Sequence, residues 1–342
     1  MTKKWRNFLQ YLVFLGLGIF LVWFSLRQIP DDRWDAFQTS LRTARFGLMV
    51  PVFFILSASH VLRAMRWKIL MKPLGYQPAL PNVFFAVMIG YLANLAVPRL
   101  GEVLKCTILA RYEKVPADKL VGTILVERAF DVVCLGLVFL LAFGVEYEVV
   151  GQYARQLLGK AFPSGPGGYL LMKVLLGLVV MVLLARGAWV LLQQWKQKPW
   201  ISAVLGVVKG ITDGLNSIRQ LQEKGLFLLY SLGIWALYIL GTWVGLQATM
   251  GTAGLGWTTA VSALAFASIG MIITPGGIGA YAFFLAKVLA LHEIPFELGM
   301  ANGTLQWFAQ FGIVLLVGFI CLGLLPLYNK KSKHESHNSP AK

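Results

Sequence analysis

Asn94-Leu95-Ala96-Val97-Pro98-Arg99-Leu100-Gly101-Glu102 closes an apolar run that begins at Val83. As a helix that run of about 15 residues is about 22 Å long, whereas a full membrane crossing takes about 20 residues. Pro98 removes a backbone donor, and Gly101 tolerates a sharp turn. Arg99 and Glu102 then set charge beside the break. Charge in hydrocarbon is expensive unless it is paired or wetted. The stretch therefore predicts a re-entrant segment whose tip lies in a protein-lined or water-filled cavity. An ordinary helix end followed by a solvated loop is the plain alternative.

A second break lies in the other half of the chain. Thr274-Pro275-Gly276-Gly277-Ile278-Gly279 interrupts the run from Thr258 to Ala290. Two interrupted hydrophobic segments, one in each half, mark the place where transporters bind their substrates, and they suggest an inverted repeat.

Composition supports a membrane setting. The chain has 342 residues, 57% hydrophobic and only 13% charged, where soluble domains carry about 25% charged residues. Mean hydropathy is +0.68, and several apolar runs approach the length of a crossing. The class is an all-α polytopic membrane protein with about six full transmembrane helices plus the two re-entrant or broken segments. The net charge of +16 flanks apolar runs, so it points to anionic lipid rather than nucleic acid. Cys106, Cys134 and Cys321 lie in or beside apolar segments without metal spacing, and neither a structural disulfide nor a metal is expected. No cofactor motif is present.

In chain order, the apolar run 8–26 reads as a first span and Phe46 to Leu62 as a second, with Arg63, Arg66, Lys68 and Lys72 as a cytoplasmic anchor behind it. Leu120 to Ala142, Tyr169 to Leu192, Leu226 to Met250 and Ala301 to Leu325 complete the spans. Residues 193–224 alternate apolar and polar at helical spacing and read as an amphipathic cytoplasmic connector. Residues 1–328 thus form one integral membrane domain, and 329–342 a disordered cytoplasmic tail. If both breaks are re-entrant, the basic residues crowd one side of the membrane. The other side holds only Arg27, Arg33, Arg42, Arg45, Arg155 and Lys160. Basic residues favour the cytoplasm, so both termini are expected inside.

Glu127 and Asp131 are four apart and share a helix face, with Arg128 three before Asp131 and within its reach. Added to Arg99, Glu102 and Lys105, they make a set of three cations and three carboxylates that can neutralise itself in a cavity. Arginine forks a phosphate through two parallel hydrogen bonds, so one expectation is a lipid-headgroup site whose carboxylates hold the arginines when it is empty. The competing expectation is an interhelical ion-pair network that only fixes packing. Glycines in Pro275-Gly276-Gly277-Ile278-Gly279 can present backbone N–H groups at a helix start, a natural phosphate cradle. A hinge or a tight packing site is the alternative. Gly241 with Gly245, and Gly299 with Gly303, read as small-residue packing faces. Asn302, Gln306 and Gln310 share one face of the last span, as a polar path or as bonds to a neighbouring helix.

Taken together, Asn94 with Pro98-Arg99-Leu100-Gly101-Glu102, then Val126-Glu127-Arg128-Ala129-Phe130-Asp131, then Pro275-Gly276-Gly277-Ile278-Gly279 resemble three signatures of one family. It is the flippase-like family named after the transmembrane region of lysylphosphatidylglycerol synthase. Arg63-x-x-Arg66-Trp67 also resembles a feature of that family. The resemblance spans about residues 10 to 325. It implies a bacterial inner-membrane protein that moves lipids between leaflets, without the soluble aminoacyl-transfer domain of the full synthase. The substrate-binding candidates are Asn94, Pro98, Arg99, Gly101, Glu102, Glu127, Arg128, Asp131, Pro275, Gly276, Gly277 and Gly279. The partners implied are membrane lipids with an anionic headgroup, and a separate lipid-modifying enzyme. Two other classes compete with a translocase. One is a membrane-embedded enzyme acting on a lipid phosphate with Glu102 or Glu127 as base. The other is a scaffold for a separate lipid synthase. A nucleophile–base pair, a metal cluster and a nucleotide loop are all lacking, so the chain is not expected to be an enzyme.

Overall fold

A computed structural model describes residues 16, 19–97, 100–146 and 221–337. The expected crossing at 169–192, most of the connector at 193–224, and Pro98 and Arg99 themselves lie outside the described residues.

The described chain is helical. Residues 19–27 form a helical stretch, followed by α1 (Trp34–Arg42) and α2 (Met49–Met71). Two helices then fold against each other, α3 (Leu80–Ala96) and α4 (Leu100–Tyr112). The long α5 (Ala117–Val145) follows. The second half repeats this order. It has α6 (Lys224–Leu246), a second helical pair of α7 (Trp257–Ile273) and α8 (Ala280–Ala290), and the long α9 (Phe296–His337). Among the described residues three helical segments are long and apolar enough to cross a membrane: Phe46–Leu74, Lys224–Leu246 and Phe296–Lys330. α5 is 29 residues long but carries Glu127, Arg128 and Asp131 within it.

Two elements differ from expectation. The second crossing does not stop at Leu62. Its helix continues through Arg63 and Arg66, because Trp67, Ile69, Leu70 and Met71 beyond them are buried apolar residues. The tail expected to be disordered from 329 is instead helical as far as His337. Asn329 starts that extension by bonding Leu325 O and pairing with Asn82.

The directions of the helices follow from their contacts. Lys72 at the end of α2 pairs with Glu223 beside the start of α6, at 2.6 Å. At the opposite end Arg45 N donates to Ala248 O at 2.7 Å. α2 and α6 are therefore antiparallel, and small residues let them approach: Gly233 lies against Leu62 and Gly241 against Leu56. Close packing of this kind drives helix association where lipid supplies no hydrophobic force. The base of the α3–α4 hairpin lies at the Lys72 end, where Asn82 bonds both Glu113 and Asn329. The α7–α8 hairpin opens toward the other end, where Gly299 of α9 packs on Ala286 and Gly303 on Ala282. The two hairpins thus enter from opposite ends of the bundle. Their tips meet where Leu95 lies against Gly276. Each half is a crossing, a hairpin and a long helix, with the second half inverted relative to the first.

Each hairpin turns by the same chemistry. A residue before proline is driven out of the helical region, and both Val97 (φ −140°, ψ 116°) and Thr274 (φ −118°, ψ 149°) are extended. Asn94 Oδ1 accepts from Gly101 N at 2.8 Å and bridges the first turn. Gly90 and Gly101 bring α3 and α4 into backbone contact, since a Cβ on Gly101 would overlap the Gly90 carbonyl. Gly101→Ala is therefore expected to lower stability by about 1–3 kcal/mol, as overpacked interiors do. Gly122→Ala, whose added carbon meets nothing within 4 Å, should leave stability unchanged or slightly raised. Thermal melts in detergent check both, and equal melting temperatures would refute the close approach.

Candidate functional site

The central side chains come from four helices. Arg63 and Arg66 of α2 share one face by their spacing of three, and Glu127 and Asp131 of α5 share another by their spacing of four. Arg63 Nη1 lies 3.0 Å from Glu127 Oε1 and 2.8 Å from Asp131 Oδ2. Arg66 Nη2 lies 3.3 Å from Glu127 Oε1 and 2.7 Å from Asp131 Oδ1. Lys105 of α4 approaches the other Glu127 oxygen at 3.2 Å. α6 adds neutral partners, with Tyr238 Oη 3.2 Å from Arg63 and Ser231 Oγ 3.3 Å from Arg66.

The cluster is dry. The Arg66 side chain has no exposure and that of Glu127 only 2%. Trp67 packs beneath Lys105, whose Nζ stands 4.5 Å from its ring centroid, and Trp67 Nε1 is itself satisfied by Thr123 Oγ1 at 2.8 Å. Arg63, Arg66 and Lys105 face Glu127 and Asp131, three cations against two carboxylates. Among the described residues this buried group carries one excess positive charge.

Arg128 is elsewhere. One residue past Glu127, it projects about 100° further round the helix, away from Asp131. Its Nη2 pairs with Glu102 at 3.2 Å, and both side chains are partly open to solvent, 51% and 38% exposed. The pair stands at a cleft also lined by Tyr91, Asn94, Gly101 and Lys105. The cleft is narrow, far smaller than the roughly 300–1,000 Å³ of pockets that enclose a whole small ligand. Lys105 belongs to both places, touching Glu127 inside and lining the cleft outside.

The sequence-predicted residues divide accordingly. Glu127 and Asp131 join the buried cluster, while Glu102, Arg128, Asn94 and Gly101 join the cleft. The expected Arg128–Asp131 contact is replaced by Arg63 and Arg66, which the sequence suggested were a cytoplasmic anchor. Apolar residues on both sides of Arg63 and Arg66 were the signal that these arginines lie inside a helix rather than at its end.

Three amides of the second turn, where a phosphate cradle was expected, bond within the turn itself. Gly277 N donates to Thr274 O, Ile278 N to Pro275 O, and Ala280 N to Ile278 O. These amides are occupied within the turn. Gly276 O accepts from Trp307 Nε1 at 2.7 Å, which fixes the tip to α9. Gly276, Gly277 and Gly279 all have positive φ (62°, 74° and 71°), a region costly for other residues. A Cβ on Gly277 would also overlap Met271 Sδ. Gly277→Ala should accordingly fail by strain and overlap together, losing more stability than Gly276→Ala, whose added carbon meets Leu95 at an ordinary 3.5 Å. Fluorescence-detected size exclusion of the two variants after graded heating measures the order, and the reverse order would show that the turn relaxes freely.

Asn302 and Gln306 bond neighbouring elements. Asn302 Nδ2 reaches Gly245 O, Thr249 and Thr252, and Gln306 donates to Asn302 at 2.7 Å. Gln306 also receives Tyr281 Oη at 3.3 Å. This satisfied network pins α9 to α6 and α8.

The profile of the family described as the lysylphosphatidylglycerol synthase transmembrane region matches residues 8–318. The UPF0104 membrane protein of Methanocaldococcus jannaschii is 32% identical over 108 residues, which is 31% of this chain and 30% of the archaeal one. The matched segment thus covers under a third of that relative. No solved structure matches the chain.

Proposed function

The chain belongs to the lysylphosphatidylglycerol synthase transmembrane-region family, and from that premise we propose that it is a lipid translocase. It moves an anionic, phosphate-bearing lipid between the leaflets of the bacterial cytoplasmic membrane without changing it chemically. The observation that carries this reading is the buried group with one excess positive charge, joined through Lys105 to a cleft lined by Arg128 and Glu102. A charge in low dielectric needs a counter-charge, and a lipid phosphate entering beside Arg128 and Lys105 supplies it. Glu102 holds Arg128 until the phosphate takes its place. The opposed hairpins support the same reading, since broken segments meeting inside an inverted repeat are where transporters bind substrate.

The end of the bundle carrying Lys72, Arg111, Lys114, Lys119 and Lys224 is the cytoplasmic one in this proposal. That bias persists when Arg63, Arg66 and Lys105 are taken out of the count as buried. The cleft then faces the inner half of the membrane. An anionic lipid leaving the cytoplasmic leaflet runs down an inside-negative potential worth about 2.3 kcal/mol per charge per 100 mV, so the potential alone can drive export. A separate lipid-modifying enzyme is the partner expected to supply or consume the lipid.

The test is leaflet exchange of labelled phosphatidylglycerol in vesicles reconstituted with the purified protein, with mass spectrometry of the lipid afterwards. Accelerated exchange with unchanged lipid mass is expected. A change in mass would make the protein an enzyme, and no acceleration over empty vesicles for any anionic lipid would exclude translocation.

A further inference from the structure

α2 carries a line of polar residues through the middle of its crossing. Ser57, His60, Arg63 and Arg66 recur every third position and so lie on one inclined ridge, which winds about half-way round the helix between Ser57 and Arg66. Nine residues of helix span about 14 Å, close to half the hydrocarbon thickness of a bilayer. Each of the four has one buried polar atom without a hydrogen-bond partner among the described residues: Ser57 Oγ, His60 Nδ1, Arg63 Nε and Arg66 Nε. Nine such atoms occur among the described residues, and four of them fall on this ridge. Buried polar atoms in folded proteins are nearly always bonded to protein, water or ligand, and an orphan in a membrane interior is still more costly.

The ridge is continuous with the cleft. The His60 ring lies 5.2 Å from that of Tyr91, which lines the cleft. From there the line runs along α2 toward Phe46, away from the base of the first hairpin. An apolar core would have put leucine or alanine at positions 57 and 60. Instead the chain presents a hydroxyl and an imidazole, able to donate or accept, followed by two arginine Nε–H donors. The Nε donors call for acceptor oxygens, and Ser57 and His60 can be satisfied by the same kind of group or by water.

We propose that the Ser57–His60–Arg63–Arg66 ridge is a hydrated polar track that takes the phosphate-bearing headgroup of the lipid from the cleft into the opposite half of the membrane. This rests on the translocase reading and deepens it by naming the residues that replace headgroup hydration beyond the cleft. Arg63 and Arg66 meet the phosphate oxygens from the side not used by Glu127 and Asp131. His60 and Ser57 then carry it on.

The experiment places single cysteines at positions 57 and 60, with Val52→Cys as the control. The background has Cys106, Cys134 and Cys321 changed to alanine and elutes like wild type on size exclusion. Val52 is 3% exposed and packs in an apolar cluster with Leu56 and Ile313. A small cationic methanethiosulfonate should modify Ser57→Cys and His60→Cys about tenfold or more faster than Val52→Cys, because reactivity follows the thiolate fraction and apolar burial suppresses it. Dioctanoyl phosphatidylglycerol should slow both modifications, and neutral dioctanoylglycerol should not. Unreactive thiols at both positions would overturn the track. Rapid modification indifferent to the anionic lipid would reduce it to a water path and overturn the headgroup assignment. Equal protection by inorganic phosphate at the same concentration would assign the track to a free anion and overturn it likewise. The readout is binding, so it separates two failures. Protected thiols in a protein that moves no lipid would sink the translocase reading alone, and unreactive thiols in a protein that moves lipid would sink the track alone.

Discussion

Glu127→Ala is expected to cost about 3–5 kcal/mol of stability, the penalty typical of removing one partner from a buried ion pair. Both Glu127 oxygens are engaged, one by Arg63 and Arg66 and the other by Lys105. Without the carboxylate, three cations are left around Asp131 alone. A chain with marginal stability of about 5–15 kcal/mol would lose a large fraction of it. Replacing Arg63, Arg66, Lys105, Glu127 and Asp131 together with apolar residues of similar volume should be less damaging than Glu127→Ala alone. Paired burial of charge contributes little net stability, whereas unpaired burial is penalised in full. Detergent melts of the two variants against wild type make the comparison. If the five-fold replacement melts lower than Glu127→Ala, the cluster holds the fold together by net attraction and the argument from unpaired charge fails. Arg128→Ala belongs in the same series as the contrast. Its pair with Glu102 is half exposed, and such pairs are worth about 0–1 kcal/mol.

That small structural cost makes Arg128 the informative position for transport. Arg128→Ala should slow leaflet exchange about tenfold or more, the loss expected when a charge-assisted hydrogen bond of about 1.5–3 kcal/mol is removed. Arg128→Lys should recover part of the rate, because it keeps the charge and loses the planar fork. Size exclusion and melting of both variants should match wild type. Wild-type exchange by both would remove Arg128 from the phosphate path. Exchange lost in Arg128→Ala and fully restored in Arg128→Lys would keep the charge and discard the fork.

The two breaks were legible because proline and glycine act locally. Pro98 and Pro275 disfavour a helical residue before them, and each is followed within three residues by glycine, so hairpin positions could be read from Val97-Pro98 and Thr274-Pro275. The opposed entry of the hairpins was legible too, since the basic residues fit one side of a membrane only if both breaks return the chain to the side it came from. Glu127 and Asp131 were found because a carboxylate within an apolar run has no inexpensive explanation.

What each carboxylate would meet was not legible. Helical spacing places Arg128 within reach of Asp131, but reach along a helix does not decide a contact when another helix offers more charge. α2 lies across α5 and presents two guanidinium groups to the face that Glu127 and Asp131 share. Arg128, on the next face, turns to Glu102 of α4 instead. Arg63 and Arg66 looked like interfacial anchors because basic residues after an apolar run usually are. Only the packing of α3, α4 and α5 around Trp67 shows that their part of α2 is inside. Sequence by itself determined the class of the protein, its two broken segments and their opposed directions, because hydropathy, proline and charge asymmetry act on the chain one residue at a time. Tertiary structure alone decided which cations are buried, which pair stays open at the cleft, and that Ser57 and His60 continue the line of arginines, because each depends on which helix faces happen to meet.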